Sequence, residues 1–204
     1  MAETLTPICE FGKPAVDFDL KGIDGDQYNL KKLKGVRGLL IIFMCNHCPF
    51  VKAVVKKMAQ TANTLSDYGV NTVAIMPNDT ESYPEDSFEN MAKFAKEYNL
   101  PFPYLIDETQ EIAKSYGAVC TPDFFGYNFN LELQYRGRLD GTRMSKKTDT
   151  SNELLDAMIQ IAHLGKGPEK QTPSIGCSIK WKEKLGTSFF WFYYFFKMLM
   201  QGQI

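Results

Sequence analysis

Two cysteines stand three residues apart in the sequence, with a histidine between them. Cys45 and Cys48 enclose Asn46 and His47, and Pro49 follows directly. Cysteines at this spacing lie about one helical turn apart, close enough for their sulfurs to join in a small disulfide ring. The pair therefore predicts thiol–disulfide chemistry, in which Cys45 attacks an oxidised substrate and Cys48 resolves the mixed disulfide.

A strand and a helix are predicted on either side of this pair. Gly38–Met44 is an unbroken apolar run, which is typical of a strand buried on both faces. After Pro49, apolar residues recur at helical spacing as far as Leu65. We therefore expect Cys45 at the start of the helix, where the first N–H groups and the helix dipole stabilise a thiolate. A protonated His47 would add positive charge beside it.

The same residues leave two other interpretations open. The two cysteines could be buried thiols without a task, although their place between a strand and a helix argues against this. Cys45, His47 and Cys48, joined by Cys120 or Cys177, could also form a zinc or copper site. The sequence contains no second CxxC and no HxxxH pair, so a four-coordinate site lacks its second half. No metal or other cofactor is expected.

The remaining pattern alternates between strands and helices. A hairpin is predicted around Gly22–Gly25, and the further strands are Val70–Met76, Tyr104–Asp107, Asp123–Asn128 and Glu132–Arg138. The further helices are Ser87–Tyr98, Thr109–Tyr116 and Asp149–Leu164, and the polar segment Thr80–Asp86 is a predicted loop. This order predicts an α/β fold with a mixed sheet covered by helices on both faces.

Length, composition and charge limit the function classes. A chain of 204 residues with 44% hydrophobic and 23% charged residues suits one globular domain with appended segments. Its 23 basic and 24 acidic residues leave a net charge of -1, which argues against nucleic acid as a partner. Five cysteines are an odd number for a disulfide-stapled secreted fold. The first residues lack a basic and apolar leader, so the cytoplasm is the expected location.

Four blocks of the sequence carry a resemblance to a known family. They are Phe43–Lys52, Cys120–Phe125, Tyr135–Asp140 and Pro173–Lys182. The chain resembles the redoxin branch of the thioredoxin superfamily, which includes the alkyl hydroperoxide reductase and thiol-specific antioxidant group. More narrowly, it resembles an uncharacterised thioredoxin-like family of similar length with a CNHC motif. The resemblance implies a thioredoxin-like three-layer fold with an N-terminal hairpin extension.

The resemblance also implies roles for residues outside the CNHC motif. Thr121-Pro122 takes the place of the cis proline that faces the CxxC, and the Thr121 backbone would pair with bound substrate. Cys120 would lie near the site, as a third redox thiol or as a small buried hydrophobe. The implied partners are a thiol or disulfide substrate, either a protein or a small thiol, and a cellular reductant such as a thioredoxin or glutathione system. An antioxidant role follows from the family.

Four positions depart from the patterns of related enzymes. Peroxiredoxins carry Pro and Thr where this chain has Gly38 and Ile42, so the hydroxyl that helps to hold peroxide is missing. Thioredoxins carry a buried Asp and a Trp where this chain has Leu39 and Met44, so the usual proton acceptor is missing. We therefore favour dithiol exchange and keep a thiol-dependent peroxidase, like the metal-binding module, as an alternative.

Several other residues receive plainer interpretations. Arg136 and Arg138 alternate along a predicted strand, so we expect surface charges and not partners of the thiolate. Cys9 is expected to be a bystander. Cys177 is expected to serve packing, and the open alternative is that it resolves an oxidised Cys45.

The end of the chain is divided in two. We expect a redoxin domain over residues 1–182, whose part after about residue 165 forms an arm on the surface, and a separate tail over residues 183–204. The aromatic run at 187–200 has about a dozen apolar residues, too few for a helix to span ~30 Å of hydrocarbon. A membrane-interface segment, an oligomer contact and an unrelated extension stay open for it, and membrane contact is the less favoured.

Overall fold

The computed structural model describes residues 3–141 and 151–183. Its strands are β1 (Glu3–Leu5), β2 (Leu20–Gly22), β3 (Gln27–Tyr28), β4 (Gly38–Phe43), β5 (Val70–Met76), β6 (Tyr104–Ile106), β7 (Cys120–Thr121), β8 (Asp123–Asn128), β9 (Leu133–Tyr135) and β10 (Ile175–Ser178). Its helices are α1 (Leu30–Leu33), α2 (Pro49–Asp67), α3 (Phe88–Glu97), α4 (Glu111–Tyr116) and α5 (Glu153–Leu164), with one 3₁₀ turn at Pro84–Asp86.

Seven of the strands form a mixed central sheet in the order β3-β2-β6-β5-β4-β8-β9. β4, β5 and β6 run parallel to one another, and the other neighbours are antiparallel. The predicted α/β fold with a thioredoxin-like mixed sheet is confirmed, and so is the predicted hairpin, formed by β2 and β3. The parallel strands place their carboxyl ends at one edge, where ligand-binding residues of open α/β sheets collect.

β4 lies at the centre of the sheet and is buried on both faces. Leu40 and Ile42 pack into a core with α2, α3 and α5, while Leu39 and Ile41 pack into a second core with α1 and α4. Successive side chains of a strand point to opposite faces, which explains why an unbroken apolar run was needed here. The three layers hold the end of β4, and hence the CNHC motif, in a fixed position.

A second sheet joins strands near the two ends of the described chain to β7, in the order β1-β10-β7. β10 lies in the segment that we expected to form a surface arm. That expectation is wrong for β10, because its residues Gly176 and Cys177 are buried between β1 and β7. The sequence after residue 165 looks irregular because the strand is only four residues long.

Some of the sequence predictions concern residues outside the described part. The aromatic run at 187–200 lies there, as does the predicted start of α5 at Asp149. In the described ranges α5 begins at Glu153, where the Asn152 side chain accepts a hydrogen bond from the N–H of Leu155. Among residues 3–141 and 151–183, no helix has the length and apolar content that crossing a membrane requires.

Candidate active site

The CNHC motif forms the connection between β4 and α2. β4 ends at Phe43 and α2 begins at Pro49, so Cys48 is the residue that caps the helix. The predicted helix after Pro49 is confirmed, but the expectation that its start stabilises the Cys45 thiolate is wrong, because Cys45 lies three residues before Cys48. The helix terminus, with its unpaired N–H groups and its positive dipole end, acts on Cys48 instead.

Both cysteines are free thiols, and both meet Thr121. The Cys45 sulfur lies 3.4 Å from the Thr121 hydroxyl, and the Cys48 sulfur lies 3.0 Å from the Thr121 carbonyl oxygen. The peptide bond between Thr121 and Pro122 is cis, as predicted. The two sulfurs are almost fully buried, with 1% and 0% of the residues exposed. One residue of β7 thus contacts both members of the CxxC pair.

A buried carboxylate holds the other side of the motif. Asp86, which is 0% exposed, accepts hydrogen bonds from the backbone N–H groups of Asn46 (2.8 Å) and His47 (3.2 Å). It also accepts from the Asn78 amide at 2.8 Å and lies 2.7 Å from Nδ1 of His47. We call Asn46, His47, Asn78 and Asp86 the polar wall of the site. It fixes the connection that carries Cys45.

Asp86 is a site residue that the sequence did not reveal. It lies in the predicted loop Thr80–Asp86, just before α3, where an Asp has an ordinary role at a helix start. Nothing in its neighbourhood indicates that it folds back onto residues 46 and 47. For Asn78 a signal existed. It follows β5, and the carboxyl ends of the parallel strands β4 and β5 meet at the same edge.

Two aromatic residues complete the polar wall. The Tyr104 hydroxyl, which is fully buried, donates to the Asn46 side-chain oxygen at 3.0 Å. The His47 ring stacks on Tyr83 with 5.6 Å between ring centroids and 7° between planes. Asp86 raises the pKa of His47 through their hydrogen bond. Burial alone would raise the pKa of Asp86, but the bonds from His47 and Asn78 outweigh it and lower that pKa. A protonated His47 facing an ionised Asp86 is thereby favoured.

The two thiols differ in acidity. The neighbouring Cys45 lowers the pKa of Cys48 to about 5 against the opposing effect of burial. Thr121, the N–H of Val51 in the first turn of α2, and Cys177 add to the lowering. The bond to Cys48, burial and the Asp86 charge raise the pKa of Cys45 well above its usual range. Cys48 is therefore the more acidic thiol of the pair.

β10 lies directly against the residue that both thiols touch. Cys177 is the antiparallel partner of Thr121, and Ser178 is the partner of Cys120. The approach is so close that a Cβ atom on Gly176 would lie 2.2 Å from the Thr121 carbonyl oxygen. We call Thr121, Gly176 and Cys177 the strand wall of the site. The backbone edge of Thr121 that the family resemblance assigns to substrate is thus occupied by this chain's own strand.

The remaining candidate residues lie around these two walls. Cys120 is fully buried, its thiol points to the Pro122 carbonyl oxygen at 3.6 Å, and burial raises its pKa. Arg136 is only 3% exposed and donates to Asp123 at 2.9 Å, so the expectation of a surface charge is wrong for it. A buried carboxylate, Asp123, needed that cation. Arg138 is half-buried and pairs with Glu153.

Cys45, His47 and Asp86 could in principle share a metal ion. Within the described ranges, their sulfur, nitrogen and oxygen atoms lie within 4.8 Å of one another. Asp86, however, already accepts four hydrogen bonds, one of them with the ring nitrogen of His47. Binding a cation here would break that network, so the geometry favours the polar wall as a support for Cys45.

The chain is similar to several known proteins in sequence and in structure. The profile of the AhpC/TSA family matches residues 11–139. A solved structure of an uncharacterized conserved protein from Geobacillus kaustophilus is 46% identical, with a TM-score of 0.85, over 90% of this chain and 98% of that one. The thiol-disulfide oxidoreductase ResA of Bacillus thuringiensis subsp. konkukian (strain 97-27) is 28% identical over 116 residues, which are 57% of this chain and 62% of ResA.

A second kind of relative is also present. The peroxiredoxin Bcp of Bacillus subtilis (strain 168) is 24% identical over 128 residues, 63% of this chain and 73% of Bcp. The chain spans less than two thirds of the length of ResA. The family profile nevertheless covers the CNHC motif, Asp86 and Thr121-Pro122 together. The chain therefore belongs to the AhpC/TSA family.

Proposed function

We propose that the protein is a thiol–disulfide oxidoreductase in which Cys45 is the nucleophile and Cys48 the resolving thiol. The observation that carries this proposal is the convergence of both sulfurs on Thr121, at 3.4 and 3.0 Å, with Cys48 at the start of α2. A hydrogen-bonded pair of thiols that shares one charge can release a thiolate without a separate base. Each sulfur is thus prepared for one of the two steps of disulfide exchange.

The first step moves the charge from Cys48 to Cys45. The Cys45 proton passes to the neighbouring Cys48, whose thiol donates to the Thr121 carbonyl oxygen. The Cys45 thiolate attacks one sulfur of a substrate disulfide, the substrate bond breaks, and a mixed disulfide forms. The other half of the substrate leaves as a thiolate and takes up a proton.

The second step releases the substrate. Cys48 gives its proton to the departing thiol and attacks the Cys45 sulfur, which closes the Cys45–Cys48 disulfide. The protein has lost two electrons, and the substrate has gained them. A reductant of the cell must return the two electrons. A thioredoxin or glutathione system is the kind of partner that supplies them.

The place for substrate is a cavity beside the cis proline. It has a volume of about 190 Å³, and its lining includes Phe50, Pro122, Leu139 and Ile175. Because β10 occupies the backbone edge of Thr121, a small thiol or an extended side chain fits this cavity better than a peptide strand that pairs with β7. Pro122 lines this cavity and Thr121 contacts both sulfurs, so we propose these two as substrate-contacting residues, with an antioxidant role in a cytoplasm as the setting.

Three variants test the assignment of roles. Reduction of a small aliphatic disulfide, coupled to a glutathione system, should be abolished in Cys45→Ser. Cys48→Ser should instead accumulate a mixed disulfide on Cys45, visible in the intact mass. Cys9→Ser is the matched control, because Cys9 is half-buried and lies outside the site, and its turnover should equal that of the wild type. Full activity in both site variants would exclude the proposal.

A thiol-dependent peroxidase is the second candidate. The relation to the peroxiredoxin Bcp favours it, and so does the Thr121 hydroxyl at 3.4 Å from the Cys45 sulfur, which supplies a hydroxyl that Ile42 lacks. Gly38 and Ile42, which stand where peroxiredoxins carry Pro and Thr, argue against it. The rate at which hydrogen peroxide oxidises the reduced protein separates the two functions. A rate far above that of a free thiol would favour the peroxidase.

A metal-binding module is the third interpretation. It predicts stoichiometric zinc or copper in untagged purified protein, and loss of that metal in Cys45→Ser. If wild-type protein purified in the same way contains no metal and has an active dithiol, the oxidoreductase is supported. Elemental analysis decides between them.

A further inference from the structure

We propose that Cys177 is a third redox thiol of the site, which exchanges with the Cys45–Cys48 disulfide to form a Cys48–Cys177 disulfide. The proposal rests on the oxidoreductase function above and adds a step to it. Its basis is the position of β10, which brings a buried thiol from the far end of the described chain to the sulfur that resolves substrate.

The strand register places Cys177 beside the dithiol. Cys177 and Thr121 are direct antiparallel partners, so their side chains leave the sheet on the same face, with Cβ atoms about 5 Å apart. The Thr121 side chain on that face contacts Cys45. Cys177 also lies near enough to Cys48 to lower the pKa of that thiol. Cys45, Cys48 and Cys177 are also members of one buried core cluster.

Both ends of β10 are anchored, so the Cys177 thiol is held where it lies. Before the strand, the Ser174 hydroxyl donates to the Pro122 carbonyl oxygen at 3.0 Å. After the strand, the N–H of Lys180 donates to the Asn78 side-chain oxygen at 2.9 Å, and its carbonyl oxygen accepts from the N–H of Asp79 at 2.8 Å. Asn78 belongs to the polar wall. β10 is therefore tied to both sides of the site.

The position of Cys177 is that of a substrate thiol. The family resemblance assigns the Thr121 backbone to an incoming strand, and β10 makes that antiparallel pairing within the chain. A peptide that paired there would present a side chain at the place of Cys177. The protein thus carries its own thiol, Cys177, at the place where a paired peptide would present a side chain.

The exchange step is balanced without an added oxidant. The Cys177 thiol loses its proton and attacks the Cys48 sulfur of the Cys45–Cys48 disulfide. The Cys48–Cys177 bond forms, the Cys45–Cys48 bond breaks, and Cys45 leaves as a thiolate that takes up the proton. The chain keeps one disulfide and regains the Cys45 thiol.

The order of events follows from the charges around Cys177. Burial is the main reason why the pKa of Cys177 is raised to about 12, and Cys48 adds to this rise. The charge of Lys180 opposes it. Once Cys48 is bonded to Cys45, its charge and its acceptor role are gone, and only burial holds the proton on Cys177. Cys177 is thereby kept inactive while the pair is reduced and becomes more acidic when the pair is oxidised.

The test is disulfide mapping in a variant that lacks the first cysteine. Reduced Cys45→Ser protein is oxidised with diamide, which accepts two electrons and two protons from a pair of thiols, and free thiols are then alkylated before proteolysis. We expect a disulfide between the Cys48 and Cys177 peptides in most of the protein. The species should be lost in Cys45→Ser/Cys177→Ser and kept in Cys45→Ser/Cys120→Ser. A bond from Cys48 to Cys120, or full alkylation of Cys177, would overturn the proposal.

A second measurement uses wild-type protein, so it does not depend on whether a variant folds. Wild-type protein that holds one disulfide per chain is alkylated at several pH values, and the bonded and alkylated cysteines are then mapped. The proposal expects a fraction with Cys48–Cys177 bonded and Cys45 alkylated, which forms severalfold faster at higher pH because Cys177 attacks as a thiolate. Exclusive Cys45–Cys48 bonding at every pH contradicts the third thiol and leaves the two-cysteine mechanism intact. Absence of both disulfides contradicts the oxidoreductase itself.

Discussion

The two walls of the site act on the two cysteines in opposite ways. The polar wall contains an ionised carboxylate, and its charge helps to keep the proton on Cys45. The strand wall and the start of α2 supply hydrogen-bond donors, which stabilise the thiolate of Cys48. A CxxC pair is symmetrical in sequence, yet its surroundings here make one thiol a proton donor and the other an acceptor. The difference teaches that elements far from the motif in the sequence decide which sulfur holds the charge.

Removal of the Asp86 carboxylate should break the polar wall. Asp86→Ala leaves two backbone N–H groups and the Asn78 amide without a buried acceptor, and each such group costs about 1–3 kcal/mol. We expect the free energy of unfolding to fall by about 3 kcal/mol or more. Urea titration measures it. A loss below about 0.5 kcal/mol would show that the network contributes nothing to the fold.

Asp86→Asn keeps an acceptor oxygen but removes the charge. Without the negative charge, the pKa of Cys45 should fall, and its alkylation by iodoacetamide near neutral pH should become severalfold faster. Peptide mapping assigns the rate to Cys45. Glu85→Gln is the matched control, because Glu85 is an exposed carboxylate next to Asp86. An equal rate in both variants would contradict the electrostatic role of Asp86.

A side chain at position 176 should break the strand wall. Gly176→Val places a Cβ against the Thr121 carbonyl oxygen, and such overpacking costs about 1–3 kcal/mol. We expect β10 to separate from β7, which lowers the free energy of unfolding and makes Cys48 accessible to alkylation. Ile175→Val, a smaller side chain in the same strand, is the control. Unchanged protection of Cys48 in Gly176→Val would mean that β10 does not cover it.

The pH dependence of stability should reveal the charge pair of the polar wall, His47 and Asp86. The folded state raises the pKa of His47 above about 6.5, so its contribution is fully present below that pH and is lost as pH rises through the folded pKa. It also lowers the pKa of Asp86, whose contribution is present above about 4 and is lost in acid. The difference in unfolding free energy between wild type and His47→Gln should be larger at about pH 5.5 than at about pH 9. The opposite trend would exclude the pair.

The smallest expected effect comes from the buried tyrosine. Tyr104→Phe removes the hydroxyl that donates to the Asn46 side-chain oxygen at 3.0 Å and, more weakly, to the Met44 carbonyl oxygen at 3.4 Å. A neutral hydrogen bond contributes about 1 kcal/mol, so stability should fall by about that amount. Turnover should stay close to wild type, because the bond supports Asn46 and touches neither sulfur. A large loss of turnover would assign Tyr104 a closer part in catalysis.

The sequence was sufficient for the local parts of the site. β4 and α2 were predicted from an unbroken apolar run and a helical repeat, and each of these signals lies within its own segment. The cis bond at Thr121-Pro122 was expected from the family resemblance alone. The helix start at Pro49 was predicted, but the helix terminus was assigned to Cys45 instead of Cys48, because the CxxC pattern does not say which cysteine caps the helix.

The long-range parts of the site could not be predicted in this way. Asp86 lies 40 residues from the Asn46 N–H that it accepts, and β10 pairs with a strand more than 50 residues earlier in the chain. Such contacts are decided by the packing of the whole fold, and a short polar or Gly-containing segment gives no local sign of them. Arg136 was misjudged for the same reason. Its partner, Asp123, lies on the neighbouring strand and is itself buried.

The most direct test of the account is the state of Cys45 and Cys48 in a defined redox buffer. Reduced wild-type protein is equilibrated with glutathione mixtures of increasing oxidised fraction, quenched with acid, alkylated and mapped by mass spectrometry. The account predicts one transition in which Cys45 and Cys48 lose two electrons together and become bonded within the chain. Protein in which both cysteines stay alkylated, or carry separate glutathione adducts throughout the range, would contradict it.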